Sequence, residues 1–219
     1  MKKFFVSLLS VFYVSCLLYA QNEGTIKYRM NMEDVPEEYS SMANMTMKIV
    51  WKGDKVYSET VNPYMKVISI EKPGETITLI DQGGRKMMFK SQDHKDDNNE
   101  QNNGNVDVNI EYTKEAKTIL GYVCKKAIIK TKESKRNDTI EYVVWYTDKI
   151  PNKMKNSNNG NNGNISELSK IPGMPMEYSF DLQGIKVTVT VTDINYDPVP
   201  DEIFNVSTDG YQEMQYPTR

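Results

Sequence analysis

At 219 residues with a net charge of −3, the chain has the length of one domain with a sizeable core. An acidic balance without a concentrated basic run argues against nucleic acid and against an electrostatic hold on anionic lipid. One histidine and two cysteines leave little for catalysis or metal binding, and the sequence is read with no cofactor and as a non-enzyme.

The first twenty residues read as an export signal. Lys2 and Lys3 precede an apolar run over 4–14, and Tyr19-Ala20 offers a cleavage end before Gln21. Cys16, after Tyr13-Val-Ser, offers the alternative of a lipidated start, in which case alone the protein is held to a membrane. Either way the product is exported, to the periplasm or beyond. With the leader gone, Cys124 is the remaining thiol and no intrachain disulfide can form; it reads as a small buried hydrophobe.

Residues 21–219 read as a single β-rich domain. Ile26, Tyr28, Met30 and Met32 alternate with polar partners, predicting a strand over 24–32 with one wet face. Asp34-Val-Pro-Glu37 has the form of a helix start, predicting a short helix to about Ala43. A second strand carries Met45, Met47, Ile49 and Trp51 on one face. Further strands are expected over 56–61, 65–70, 75–80 and 86–90, punctuated by Gly53-Asp54, Pro73-Gly74 and Gly83-Gly84.

Residues 91–105 contain no apolar residue and predict a mobile loop, as does the Asn-rich run 152–164. His94 and the calcium-like Asp96-x-Asn98-x-Glu100 fall in the first, where Gln101 replaces the glycine such a loop needs; no metal site is assigned. Between them, 117–131 and 139–147 predict the central hairpin of the sheet, with Gly121 marking a bulge or a close backbone approach in the first arm. Ile140, Tyr142, Val144 and Tyr146 share one face, with Val143 and Trp145 on the other, so both faces are expected to be covered. A last hairpin joins 176–182 to 185–194 across Gln183-Gly184. The tail, with Ile203, Phe204, Val206, Tyr211 and Met214, is apolar enough to dock.

The phrases KTILGYVCKKA, VVWYTDKIP and IPGMPMEY carry a resemblance. With Gly121, Tyr122, Cys124, Lys125, Lys126, Trp145, Tyr146, Pro172 and Gly173, they resemble the GLPGLI-type family and neighbouring uncharacterised bacterial envelope families. The namesake motif differs, reading Ile171-Pro-Gly-Met-Pro-Met176. The resemblance implies no activity; some related families are similar in fold to periplasmic lipoprotein carriers, with a curved sheet and an apolar concave side.

The fold expected is therefore mainly β: an antiparallel curved sheet or half-barrel of roughly eight to ten strands, with one or two short helices on its concave side. Pro172–Met176, unable to pair as a regular strand, is expected to cover that side. Met30, Met45, Met47, Trp51, Met174 and Met176 are the candidate lining of an apolar site, because flexible thioethers suit irregular apolar ligands. The partner expected is a lipid or another apolar small molecule. The alternatives are an envelope protein partner without a small ligand, or Cu(I) on Met42-x-x-Met45-x-Met47.

Overall fold

The computed structural model describes residues 22–33, 35, 44–92, 106–133, 139–154 and 166–215. Both readings of the leader, the helix over 34–43 (Val35 apart), His94 and its neighbours, and Met42 lie outside the described residues. The twelve strands are β1 (Glu23–Met32), β2 (Thr46–Lys52), β3 (Lys55–Asn62), β4 (Met65–Lys72), β5 (Glu75–Gln82), β6 (Arg85–Gln92), β7 (Val106–Ile119), β8 (Tyr122–Glu133), β9 (Thr139–Thr147), β10 (Met174–Leu182), β11 (Ile185–Asn195) and β12 (Gln212–Met214).

They form one sheet in the order β12-β6-β5-β4-β3-β2-β1-β11-β10-β9-β8-β7. Two meanders, β2–β6 and β7–β11, are local because two-residue turns join most of their neighbours. β1 joins them, pairing antiparallel with β2 on one side and β11 on the other. β12 adds a short parallel pairing on β6. The sheet is curved and does not close, and among the described residues no helix reaches seven residues. The half-barrel expectation holds.

The expected hairpin of β8 and β9 forms, yet it is not central; β2 and β1 occupy the middle of the sheet. Its first arm is also two elements. Ile119 pairs with Tyr122 across a turn in which Leu120 and Gly121 both take left-handed backbone, at φ 47° and 80°. Gly121 is thus a turn residue, not a bulge. β7, the strand before that turn, occupies the edge. The irregularity lies in β7 itself, between Tyr112 and Ala116, where Thr113 Oγ1 accepts the Glu115 N–H at 3.1 Å.

Alternation along the strands divides the core between two faces. On the inner face Ile26, Tyr28, Ile49, Trp51, Ala127, Ile129, Tyr142, Val144, Val187 and Val189 belong to one large cluster. On the outer face of β2–β6, Val50, Tyr57, Ile68, Ile70, Leu79 and Met88 form a second. The tail docks there through Val199 and Phe204, with Ile203, Val206 and Tyr211 against it, while Met214 stays exposed in β12. Asp201 holds this end of the tail, 3.0 Å from both Lys52 and Lys55. The tail therefore covers the outer face and leaves the inner one to other segments.

Curvature toward the inner face shows in one bond. β1 and β10 flank β11, so on a flat sheet they would lie about 10 Å apart. The Tyr28 hydroxyl nevertheless donates to the Pro175 carbonyl across β11 at 2.9 Å, fully buried.

Candidate functional site

The inner face is a trough with two unlike ends. At the Trp51 end the chain covers itself. Ile150 and Met154, after β9, and Leu168 and Ile171, around the 3₁₀ turn Ser166–Lys170, are buried to within 2%. Burying four such side chains stabilises the cover by about 1.5–3 kcal/mol each. That outweighs the single contact of Lys153 Nζ with the Gly53 carbonyl at 3.3 Å, worth about 1 kcal/mol. The apolar side seats the cover; Lys153 aligns it.

Asn152 ties the two halves of the cover together. Its Nδ2 donates to the Leu168 carbonyl at 2.8 Å and the Ile171 carbonyl at 2.9 Å, and its Oδ1 accepts the Met154 N–H at 2.9 Å. Asn152 and Met154, placed by composition in the loop expected over 152–164, are buried instead, and residues 155–164 lie outside the described residues. Likewise Ser91 and Gln92, placed in the first loop by composition, close β6.

Met174, Pro175 and Met176 are not the cover. They open β10, with Met174 opposite Thr147 and Pro175 opposite Tyr146, and the register shifts before Glu177. A bulge is where a sheet accepts proline, which lacks the ladder donor. Gly173 precedes them because the chain passes against β9: a Cβ there would lie 2.0 Å from the Thr147 carbonyl oxygen.

The other end of the trough is less closed. Met30, Met32, Met47, Ile140, Phe180 and Leu182 are packed on the inner cluster yet only partly buried. Register aligns them across the sheet: Met32 opposes Val187, which opposes Phe180, which opposes Tyr142.

Of the six candidate residues, Trp51, Met174 and Met176 are wholly buried in the inner cluster, with Met30 and Met47 packed against it. Met45 is partly buried just before β2, where its carbonyl accepts the Met30 N–H at 3.0 Å, and it is not part of that cluster. Sequence reasoning missed Tyr28, Met154 and the whole cover. The signal was Ile150-Pro-Asn-Lys-Met154, whose two apolar residues were swamped by the asparagines that follow.

Three buried phenols, Tyr28, Tyr142 and Tyr178, have their pKa pushed up by desolvation and stay neutral. Among the described residues no group of three or more His, Cys, Asp or Glu is placed to hold a metal. On the outer face, Lys117 Nζ sits 4.5 Å above the Trp145 ring and 2.6 Å from Glu177 Oε1. Trp145 is thus the half-covered partner of that ion pair.

Cys124 is fully buried and free, its Sγ 3.4 Å from the Tyr122 carbonyl. Burial raises its pKa; a backbone hydrogen bond and Lys117 lower it, and Glu177 raises it further. We expect no reaction with a thiol-specific disulfide reagent at pH 8 in the native protein, and one equivalent in denaturant. Fast native labelling would show the thiol to be open.

Fold and site together define an open antiparallel half-barrel with an apolar inner trough, capped at one end by its own chain. The chain belongs to the family described as "Domain of unknown function (DUF4412)", whose model matches residues 23–210. That is an uncharacterised family, as the resemblance implied, though not under the GLPGLI name. Comparison with curated proteins finds no match. Among solved structures the fold is similar to that of the Mycobacterium tuberculosis lipoprotein LppX. The TM-score is 0.38 at 10% identity, covering 84% of this chain and 92% of that one. Among the described residues, no helix is long and apolar enough to cross a membrane.

Proposed function

We propose that the protein is an exported, non-catalytic envelope module that holds an apolar ligand, such as a lipid acyl chain, in its inner trough. The carrying observation is the graded burial of the trough. Trp51, Met174 and Met176 are sealed at the covered end, while Met30, Met32, Met47, Phe180 and Leu182 remain partly exposed at the other end. An apolar surface that the chain's own strands leave part-exposed is where a ligand gains most from burial. Methionines there can repack around chains of different shape. In this reading Met30 and Met47 line the ligand, with Met45 at their margin, and the sealed residues form the floor.

A second reading, a structural or interaction module with no small ligand, is favoured by the cover itself, which fills one end of the trough with Ile150, Met154, Leu168 and Ile171. Native mass spectrometry of freshly purified protein separates the two. The ligand reading expects a co-purifying lipid and saturable uptake of a fluorescent fatty acid. Leu182→Glu, at a partly exposed position, should weaken that uptake at least tenfold while the protein still folds with a modestly lowered Tm, because a carboxylate resists burial against an acyl chain more than at a half-open site. No co-purifying lipid, or uptake indifferent to Leu182→Glu, would leave the structural reading standing.

A further inference from the structure

The outer face of the β1–β2–β3 junction carries charge of a different kind. Beside β11 it forms a depression of about 330 Å³ whose polar lining is Lys27, Arg29, Thr46, Lys48, Glu59 and Thr192, with Val61 among its apolar neighbours. Lys27 and Lys48 are direct cross-strand partners, an arrangement that costs stability unless each charge is met. Asp193 meets Lys27 at 3.0 Å, and Glu59 meets Lys48 at 3.1 Å. Glu59 also serves Lys66, at 2.6 Å, so one carboxylate is shared by two ammonium groups. Arg29 has no acidic partner among the described residues. Lys27, Arg29, Lys48 and Lys66 against Glu59 and Asp193 leave a local excess of two positive charges, on a chain whose net charge is −3.

The backbone is shaped there as well. The β1–β11 register shifts between Lys27 and Tyr28, leaving Thr192 as the extra residue of a bulge. Its hydroxyl donates to the Lys27 carbonyl at 3.3 Å. Bulges interrupt the ladder and re-aim side chains, here beside the basic row.

We propose that this depression binds a phosphate group, with the Arg29 guanidinium as its main ligand and Lys27 and Lys48 as flanking charges. A guanidinium presents paired donors that match phosphate oxygens, which a single ammonium cannot do. A phosphate monoester carries about −1.5 to −2 charges at pH 7, matching the local excess better than a carboxylate does. The site lies on the face opposite the apolar trough and stands or falls separately from the ligand proposed there.

The test uses the full chain at low ionic strength, titrated with inorganic phosphate and, separately, with phosphatidylglycerol or phosphatidylcholine vesicles. Saturable phosphate binding is expected. Arg29→Ala should weaken it at least tenfold, Arg29→Lys should recover it only in part, and Arg85→Ala, on β6, should leave it unchanged. Binding should fall as salt rises. Phosphatidylglycerol binding that phosphate competes away identifies a lipid headgroup; phosphate binding without vesicle binding identifies a free phosphate or soluble ester. Absence of saturable phosphate binding, or binding unaffected by Arg29→Ala in a folded protein, overturns the proposal.

Discussion

Replacing Asn152 with alanine is expected to lower the unfolding free energy by about 3–5 kcal/mol, since three buried partners lose their hydrogen bonds at about 1–3 kcal/mol each, offset where water enters. For a chain of this size that corresponds to a fall of about 10 °C in Tm. Asn152→Asp should be worse at neutral pH. It keeps an acceptor for the Met154 N–H but turns an oxygen toward the Leu168 and Ile171 carbonyls, where a donor is needed. Burial and those carbonyls raise the carboxyl's folded-state pKa above its unfolded value. The acid form then donates one hydrogen bond, so this variant is most stable at low pH and loses stability as pH rises through the raised pKa. Urea titrations at several pH values measure this directly. A wild-type midpoint for Asn152→Ala would show that the cover is not held by that side chain.

A larger loss is expected at Gly173. The Cβ of Gly173→Ala would fall 2.0 Å from the Thr147 carbonyl oxygen, 2.7 Å from its carbonyl carbon and 3.0 Å from the Asp148 Cα, all backbone atoms. Ordinary overpacking costs about 1–3 kcal/mol because side chains can shift. Here the pairing of β9 with β10 must move, so the loss should be about 4 kcal/mol or more, or the protein should fail to fold. Gly84→Ala is the control: nothing lies within 4 Å of its added Cβ, and it meets only the strain of a φ of 85°, about 1–2 kcal/mol. Equal losses at the two positions would reject the close-approach account.

Where polar and apolar residues alternate, the sequence could be read directly. The alternation of Ile26, Tyr28, Met30 and Met32, and of Ile185, Val187, Val189 and Val191, reports strands whose one face is buried. The turn pairs of the β2–β6 meander were equally plain. What resisted was local chemistry overruled by neighbours. Leu120 looks like strand interior but sits in a turn, half exposed. β7 is an edge, its pattern broken at 113–115 by the bulge, and so it shows little sheet character. Pro175 argued against a strand, yet a bulge absorbs it. Asn152 and Met154 carry no local sign that residues near Leu168 will close over them. Met30 and Met47 were identifiable because each alternates onto the inner face of its strand, whereas Met45, read on the same pattern, lies outside the inner cluster; which methionines are sealed and which are half open depends on the cover.

The place of β1 bears on how the chain can assemble. Ribosomes deliver β1 first, and β2 follows with its antiparallel partners already local. The other edge of β1 must wait for β11, whose Val189 faces Met30 and whose Ile194 faces Ile26 across more than two-thirds of the chain length. Until then a strand with a strongly apolar inner face has one unpaired side. The β2–β6 meander can zip up early through hairpin contacts, whereas the β1–β11 seam closes a long loop and is the slow, entropically costly event. Until that seam closes, the unpaired side of β1 is an edge on which another strand could pair in its place.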